Sequence, residues 1–413
     1  MSRRMRHRRA RRLGVATLTG AIVALALFGG TAGSAPRATT EVRLVTLPIA
    51  NALPQQLGIR KGFFAQQGIE LKTTTLQSGN DVVLALANNN GDIGYLGFVP
   101  MYIAVTSGIS MTLVAASEVE GTTAADNWQN ILVKGSSSIR TPRDLAGKTI
   151  AVNALKGVGE VMIKAAMEKL GVRPNAYRLT ALPFPQMRSA LNNGQVDAIW
   201  TPEPFLSQAI NIDGARSVMA PGPVLGRYWP IGGYTARQAW RSANPALAQR
   251  FRNAMNRSLV YAQGHPAEIR AMLPAGTQNV RLPIWSPLVD RSKLQKLAEY
   301  TRKYDVITRM PNMRQLVPNS IASGLVLQGT VQAQRVLLRN EGRVVTRLNV
   351  GPYTFVVTDN SRTQNFMLKG PGVNRQTSVR GRGRSTWTLN LRRGTYRYWS
   401  SARPGVKKSF RVS

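Results

Sequence analysis

The sequence contains no cysteine and only two histidines, His7 and His265, among its 413 residues. The absence of cysteine excludes disulfide bonds, thiol nucleophiles and metal sites built on thiolates. Two histidines make a histidine metal centre or a Ser-His-Asp triad hard to assemble. We therefore predict a protein that is not an enzyme, with no catalytic residue, no metal site and no cofactor.

Acidic residues are also scarce: 19 Asp and Glu stand against 55 Lys and Arg, for a formal net charge of +36. The excess is uneven, with +7 in residues 1–32, +14 in residues 33–322 and +15 in residues 323–413. Such an excess attracts anionic partners at long range. Nucleic acid, anionic lipid, acidic wall polymers and small anions are candidates, and a lineage preference for arginine is the alternative explanation.

The amino terminus has the pattern of an export signal. A basic run at residues 1–12 precedes 18 uncharged residues, 13–30, and small residues follow. This arrangement predicts a signal peptide over residues 1–32, exported by the general or the twin-arginine route. The apolar run is close in length to a spanning helix, so a retained membrane anchor is the alternative. We expect the protein in the periplasm or at the cell surface, which argues against nucleic acid as a partner.

Two stretches, residues 87–100 and 191–205, repeat the same order of features. Each has Asn-Asn-Gly, a short apolar strand, and a loop with proline. Gly91 and Gly194 are predicted to adopt the left-handed conformation that ends a helix. Around them strands alternate with helices, a pattern typical of a mainly parallel sheet. We predict two α/β lobes with a cleft between them. The expected bounds are 41–322 for the whole domain, 41–126 and 233–322 for lobe I, and 141–232 for lobe II.

The composition changes near residue 323, where short alternating runs rich in Val, Thr, Arg and Gly begin. Glycine or asparagine separates most of these runs. Several short strands with frequent turn residues are typical of a β-sandwich. We predict an all-β domain over residues 330–413.

Residues 156–159, Lys-Gly-Val-Gly, follow a predicted strand and begin a predicted helix. Free backbone N–H groups and the positive helix end favour an anion there, and glycine permits close approach. An ordinary glycine turn is the alternative, because the sequence matches neither a P-loop nor a dinucleotide fingerprint.

Glu203 stands between two prolines at the end of a predicted parallel strand. Ligands of open α/β sheets bind beyond the carboxyl ends of the strands, so its carboxylate is a candidate acceptor for a ligand donor. A surface glutamate is the alternative. The matching strand ends of lobe I place Asn51, Asn80 and Phe98 at the same edge. Glu203 lacks a second acid or a usable histidine, which disfavours acid–base catalysis.

Four segments in register resemble one branch of the ABC-transporter solute-binding proteins, the nitrate/sulfonate/thiamine-precursor branch. They are LGIRKGFFAQQGIEL at 57–71, NGDIG at 90–94, DLAGKTIAV at 144–152, and GQVDA at 194–198 with EPF at 203–205. The resemblance implies an α/β two-lobed type II periplasmic-binding-protein fold with a hinge. It also implies capture of a small polar or anionic solute, such as nitrate, a sulfonate or a pyrimidine precursor, and delivery to an ABC permease in the membrane.

The ligand contacts that this resemblance implies come from both lobes. They are Asn51, Gly79, Asn80, Gly97, Phe98, Lys156, Gly157, Gly159, Thr201 and Glu203. We expect a monomer. A related synthase carries a cysteine-rich motif that this chain lacks, so its activity is not implied. Two alternatives remain: an enzyme that uses the same cleft, and an envelope-associated interaction protein with a basic β-domain.

The carboxy-terminal region resembles a cupredoxin-like sandwich in its segments 351–359, 366–373 and 394–398. In that family two histidines and a cysteine bind copper. The corresponding positions here lie near Gln364, Ser400 and Arg403, so the resemblance implies a copper-free domain. We expect residues 330–413 to be a basic β-sandwich that contacts an anionic envelope surface, with a passive stabilising role as the alternative.

Overall fold

A computed structural model describes residues 39–274, 277, 280–318, 321–323, 326–332, 335–340, 343–348 and 351–413. The predicted signal peptide, 1–32, lies outside these residues. None of the helices in the described ranges combines the length and the apolar character needed to cross a bilayer.

Lobe I is built on a six-stranded sheet within the described residues, in the order β11 (Ile284–Trp285), β4 (Met111–Val119), β10 (Pro230–Arg237), β3 (Ile93–Gly97), β1 (Thr40–Thr46) and β2 (Ile69–Thr75). Strands β1, β2 and β3 pair in parallel, whereas β10 is antiparallel to β3 and β4. Every residue of β4 is buried, as expected for an apolar strand covered on both faces. The elements in chain order are β1 (Thr40–Thr46), α1 (Leu53–Arg60), β2 (Ile69–Thr75), α2 (Gly79–Ala87), β3 (Ile93–Gly97), α3 (Phe98–Thr106) and β4 (Met111–Val119).

Lobe II is built on a five-stranded sheet among the described residues, in the order β7 (Arg178–Ala181), β6 (Thr149–Val152), β8 (Ala198–Pro202), β5 (Gln129–Val133) and β9 (Arg216–Met219). This sheet includes Gln129–Val133, which the predicted bounds left between the lobes, because that strand pairs with β8 and β9. The elements are β5 (Gln129–Val133), β6 (Thr149–Val152), α4 (Val158–Lys169), β7 (Arg178–Ala181), α5 (Phe184–Asn192), β8 (Ala198–Pro202), α6 (Phe205–Asn211), β9 (Arg216–Met219) and α7 (Pro221–Leu225).

The chain then returns to lobe I and completes its sheet. Residues 120–128 form the first crossing between the lobes, and residues 226–229 form the second. The returning elements are β10 (Pro230–Arg237), α8 (Gln238–Ala243), α9 (Pro245–Gly264), α10 (Pro266–Arg270), β11 (Ile284–Trp285), β12 (Val289–Asp290), α11 (Arg291–Lys303) and α12 (Met313–Leu316). Two crossings side by side permit a hinge between the lobes.

The two repeated stretches use their glycines differently. Gly194 has φ +72°, the left-handed conformation predicted after α5. After α2 that conformation belongs to Asn89, with φ +60°, so the prediction for Gly91 is wrong. Gly91 is instead required by packing, since a Cβ there would lie 2.4 Å from Val45 Cγ2.

The carboxy-terminal region forms two five-stranded sheets in the part of the chain that the structure describes. Their orders are β16-β15-β14-β18-β21, here the inner sheet, and β17-β23-β22-β19-β20, here the outer sheet. The strands after α12 are β13 (Ala322–Ser323), β14 (Val326–Gln332), β15 (Arg335–Asn340), β16 (Arg343–Val344), β17 (Arg347–Leu348), β18 (Gly351–Asp359), β19 (Met367–Gly370), β20 (Val373–Gln376), β21 (Gly383–Leu391), β22 (Gly394–Trp399) and β23 (Lys408–Val412). The cupredoxin likeness stays a prediction.

The inner sheet packs against lobe I and both crossings. Arg384 forms an ion pair with Asp126 of the first crossing at 3.2 Å. Arg227 of the second crossing donates to Gln328 Oε1 at 2.9 Å. An apolar cluster of Val119, Tyr228, Ile284 and Val356 fills the junction. The outer sheet therefore lies on the side of the sandwich away from these contacts.

Candidate ligand-binding cleft

A cavity lies between the two lobes and encloses about 500 Å³ of empty space, counted out to its open mouth. Lobe I contributes one wall, and lobe II with the end of the first crossing contributes the other. The lining residues are Leu47, Ile49, Gly79, Asn80, Tyr95, Gly97, Pro100, Trp128, Gln129, Asn153, Ala154, Gly157, Val158, Phe184, Trp200, Pro202 and Ile231.

Three helices begin at this cavity. Gly79 starts α2, Gly97 is the N-cap of α3, and Gly157 is the N-cap of α4. The first backbone N–H groups of a helix lack partners within it, and the helix dipole is positive at that end. The cleft thus presents backbone donors and partial positive charge from both lobes, which suits an anionic or acceptor group.

The lobes meet closely at Gly97. A Cβ on this residue would lie 2.3 Å from Val158 Cγ2, which belongs to the opposite lobe. Asn80 Nδ2 also reaches Leu155 O of lobe II at 3.4 Å. Farther out, Glu168 of α4 accepts a hydrogen bond from Lys303 Nζ at the end of α11, at 2.5 Å, and one from Oη of the next residue, Tyr304, at 2.8 Å. The structure therefore holds the lobes in contact across the cleft.

Aromatic rings form much of the remaining wall. Trp128 is held by its Nε1, which donates to Val119 O at 3.2 Å. Phe184 and Trp200 pack with ring centroids 6.2 Å apart. Gly159 supports Trp200, because a Cβ at Gly159 would lie 2.6 Å from Cε3 of the indole. These flat surfaces suit the apolar body of an organic ligand.

The polar lining is uncharged. Amide groups come from Asn80, Gln129 and Asn153, and a hydroxyl comes from Tyr95. No described lining residue carries a formal charge. A ligand anion in this cleft would therefore be neutralised by backbone N–H groups and dipoles rather than by a cation in the lining.

Two buried carboxyl groups stand behind the polar lining and were missed by sequence reasoning. Glu118 Oε1 accepts from Tyr95 Oη at 2.6 Å, and Glu120 Oε1 accepts from Gln129 Nε2 at 2.5 Å. Burial raises the pKa of Glu118, and raises the pKa of Glu120 to about 8. Both groups orient side chains of the cleft. The sequence does contain a signal that could have revealed them. Residues 117–120 are Ser-Glu-Val-Glu, so two acids directly follow an apolar segment in a chain that has few acids.

The predicted ligand residues divide into two groups in the structure. Gly79, Asn80, Gly97 and Gly157 line the cleft. The others lie behind its wall or at its rim, and they are Asn51, Phe98, Lys156, Gly159, Thr201 and Glu203. Of these, Asn51 is buried and donates through Nδ2 to Tyr95 Oη at 3.0 Å, so it supports a lining residue.

Phe98 and Thr201 are buried away from the cavity, whereas Lys156 is exposed beside it. Phe98 stacks on Tyr102 with ring centroids 6.5 Å apart. Lys156 has φ +53°, and its backbone N–H donates to Glu160 Oε2 at 2.7 Å. Of these three residues, only Lys156 could therefore touch a ligand in the cavity.

Glu203 is a structural residue in this fold rather than a wall of the cleft. Its carboxylate is fully buried and accepts from Ser207 N at 3.0 Å, Ser207 Oγ at 2.8 Å and Arg281 N at 3.1 Å. Its backbone N–H donates to Trp128 O at 2.9 Å, and its carbonyl accepts from Ala50 N at 2.9 Å. Because its acceptor sites are occupied by its own chain, Glu203 joins the lobes and positions Trp128.

The β-sandwich contains a cavity at the positions that the predicted cupredoxin likeness matches with copper ligands. Gln364, Ser400 and Arg403 all line it, together with Arg335 and Lys408. These side chains are not those of a blue-copper site. No group of three or more His, Asp or Glu residues suited to a metal ion occurs in the described ranges.

Comparison with known proteins gives one family and several relatives. The family described as NMT1/THI5 like matches residues 50–269. The nitrate/nitrite binding protein NrtA of Nostoc sp. (strain PCC 7120) is 24% identical over 240 residues, 53% of each chain. The taurine-binding periplasmic protein of Escherichia coli (strain K12) is 27% identical over 142 residues, 34% of this chain and 42% of the relative. The chain thus spans about half the length of the curated relatives it matches.

Among solved structures, the alkanesulfonate-binding protein SsuA of Xanthomonas axonopodis pv. citri bound to MOPS has a TM-score of 0.56 at 20% identity. The match covers 67% of this chain and 96% of that one. It shows that the lobes have the type II periplasmic-binding-protein fold, and the named relatives are binding proteins rather than enzymes. With the family match over more than half of its length, the chain belongs to the NMT1/THI5-like family.

Proposed function

We propose that the protein is an extracytoplasmic solute-binding protein that captures a small organic solute between its lobes and delivers it to an ABC permease. The observation that carries this proposal is the convergence of three helix N-termini from both lobes on one aromatic-walled cavity. A ligand in contact with both lobes stabilises the closed arrangement, because only differential affinity shifts such an equilibrium.

The lining favours a ligand with two parts. An anionic or acceptor head, such as a sulfonate, suits the backbone donors near Gly79, Gly97 and Gly157. A flat or apolar body suits the rings of Trp128 and Trp200. An organic sulfonate or a polar heterocycle of the pyrimidine type satisfies both parts, whereas nitrate leaves the aromatic wall without a partner. Exposed Lys156 at the rim adds long-range attraction for an anion.

Binding is favoured over turnover by the same lining. Tyr95 is the one titratable side chain among the described lining residues, and burial raises its pKa well above the ordinary value. A buried tyrosine of raised pKa that donates to Glu118 is a poor general base near neutrality.

A thermal-shift screen tests the proposal. Organic sulfonates, nitrate, aminopyrimidines, amines and small dicarboxylates are each added to the protein. Ligand binding to the folded state raises the melting temperature by mass action. We expect a hit among the sulfonates or heterocycles that is lost in the double variant Asn80→Ala, Asn153→Ala.

The matched control is Asn374→Ala, which removes an exposed amide of the β-sandwich and leaves the cleft unchanged. A ligand binds outside the cleft if it still raises the melting temperature of the double variant and of a variant with a bulky residue at Gly157. That result, or no stabilisation by any compound class, contradicts the proposal.

A further inference from the structure

The end of the chain has an extreme charge composition that solute binding does not use. Residues 360–413 contain thirteen Lys and Arg and no Asp or Glu. Most of these cations belong to the outer sheet of the β-sandwich or to the loops beside it. Their arrangement on that sheet is set by strand register.

The outer sheet alternates between an apolar inner side and a cationic outer side. Leu348, Leu368, Tyr396, Tyr398, Phe410 and Val412 are buried. The residues between them are exposed, and four carry positive charge: Arg347, Lys369, Arg397 and Arg411. We call these four residues the cationic face.

Register places the four residues side by side. Arg347 is opposite Arg411, and Lys369 is opposite Arg397. Arg397 and Arg411 are diagonal neighbours, because their direct partners are Ser409 and Thr395. Neighbouring strands are about 4.8 Å apart, so the cations form one band across four strands. Like charges placed opposite one another destabilise a sheet, and an anionic partner offsets that cost.

The cationic face is not covered by the rest of the described chain. The sandwich contacts the lobes through its inner sheet, by Gln328, Thr354 and Arg384. None of the four cations has an ion-pair partner among the described residues. The band therefore faces outward with its charge unneutralised.

An aromatic edge adjoins the band. Trp399 follows Arg397 on the same side of β22 and is only partly buried. Lys407 Nζ lies 5.2 Å from the centroid of its ring. Val406, in the same loop, is 63% exposed. Tryptophan beside lysine, with a neighbouring apolar side chain, is suited to the boundary between lipid headgroups and hydrocarbon.

We propose that the cationic face, with the Trp399 edge, docks the protein on an anionic lipid bilayer. A flat face of cations matches a flat field of headgroup charges. Each lysine or arginine near such a surface increases partition by roughly fivefold, so four together give an effect on the order of several hundredfold. The lobes, on the other side of the sandwich, stay free of the bilayer.

The test measures co-sedimentation of the full chain with vesicles of phosphatidylcholine mixed with phosphatidylglycerol, whose anionic headgroups supply the negative surface charge. The variant Arg347→Gln, Lys369→Gln, Arg397→Gln, Arg411→Gln is expected to lose at least about 50-fold in partition. The control variant removes the same charge from exposed residues of the lobes, by Arg60→Gln, Arg173→Gln, Arg178→Gln and Arg302→Gln. It is expected to change partition by less than about fivefold.

A second measurement reports which surface touches lipid, whatever the amino-terminal segment contributes. Because the chain has no cysteine, Thr395→Cys carries a single polarity-sensitive dye directly opposite Arg411 of the cationic face. The control dye is at Thr74→Cys, an exposed position on β2 of lobe I. We expect the emission of the dye at 395 to shift with anionic vesicles and to return at high salt, while the dye at 74 does not respond.

Two results overturn the proposal. Equal loss in both quadruple variants shows that net charge alone drives adsorption. A dye at 395 that is silent with vesicles but responds to a soluble polyanion, such as an acidic wall polymer, identifies a polymer rather than a bilayer as the partner. Unchanged thermal unfolding of both variants confirms that any loss comes from the removed charge.

Discussion

Gly97→Ala tests whether the ligand is held by closure of the lobes. Gly97 has φ −69° and ψ 156°, a conformation open to any residue, so alanine introduces no backbone strain. Its Cβ would lie 2.3 Å from Val158 Cγ2 on the opposite lobe, but 3.5 Å from Ile231 O within lobe I. The clash thus exists only when the lobes are together.

The cost falls on the closed state alone. Val158 begins α4, where a β-branched side chain strongly prefers one rotamer, so it cannot easily turn away. Overpacking of this kind costs about 1–3 kcal/mol. If the ligand binds the closed state, its Kd rises by about 5- to 150-fold, whereas stability without ligand changes little.

Isothermal titration with the solute identified by the screen measures the effect. The double variant Gly97→Ala, Val158→Ala is the internal control, because Val158 Cβ would lie at 3.5 Å from the new methyl group, an ordinary contact. In the Val158→Ala background, we expect Gly97→Ala to cause little further loss of affinity. A double-mutant cycle gives this result when the two residues interact directly. Wild-type affinity in Gly97→Ala, or no recovery in the double variant, refutes closure at this contact.

Three further predictions concern stability. Burial raises the pKa of Glu120 to about 8 from an ordinary 4.5, so between these values the folded state keeps a proton that the unfolded state releases. The free energy of unfolding should therefore fall as pH rises across that interval, by about 5 kcal/mol in total. Glu120→Gln should flatten this slope in urea titrations at pH 5, 7 and 9, and an unchanged slope would show that another group titrates. Glu203→Ala leaves the donors of Ser207 and Arg281 buried without an acceptor. The free energy of unfolding should therefore fall by at least about 2 kcal/mol, and by less in Glu203→Gln. Undiminished stability would contradict the structural role of Glu203. Lys156→Gly should raise stability by up to about 1 kcal/mol, because Lys156 holds φ +53°, while Lys156→Ala keeps that conformation and should give no gain in the same titration.

Local patterns in the sequence were sufficient to predict the fold of the two lobes. Alternation of strands and helices predicted the two α/β sheets, and the segments at 57–71 and 144–152 predicted the family. In the stretch 191–205, the left-handed conformation predicted for Gly194 was correct, because a helix that ends on Asn-Asn-Gly needs a left-handed residue there. The matching expectation for Gly91 failed because its requirement is tertiary: Val45 leaves no room for a Cβ.

The candidate site depended far more on tertiary structure. The glycines at helix starts were visible from sequence, since strand-glycine-helix junctions are local. The aromatic wall was not visible, because Tyr95, Trp128 and Trp200 come together only when the lobes close. Glu203 was wrongly predicted for the same reason. Its neighbouring prolines and its place at a strand end suggested contact with a ligand. Only the fold shows that its carboxylate accepts hydrogen bonds from Ser207 and Arg281.

The amino-acid sequence was enough to establish the excess of positive charge, the absence of cysteine chemistry, the two-lobed α/β plan and the β-rich end. Each of these is a property of composition or of short-range periodicity. The folded structure was needed to learn which groups face the cleft, which carboxyl groups are buried with a raised pKa, and which cations share the cationic face. The reason is physical: cavity lining, desolvation and cross-strand register all depend on residues far apart in the chain that meet only in the folded protein.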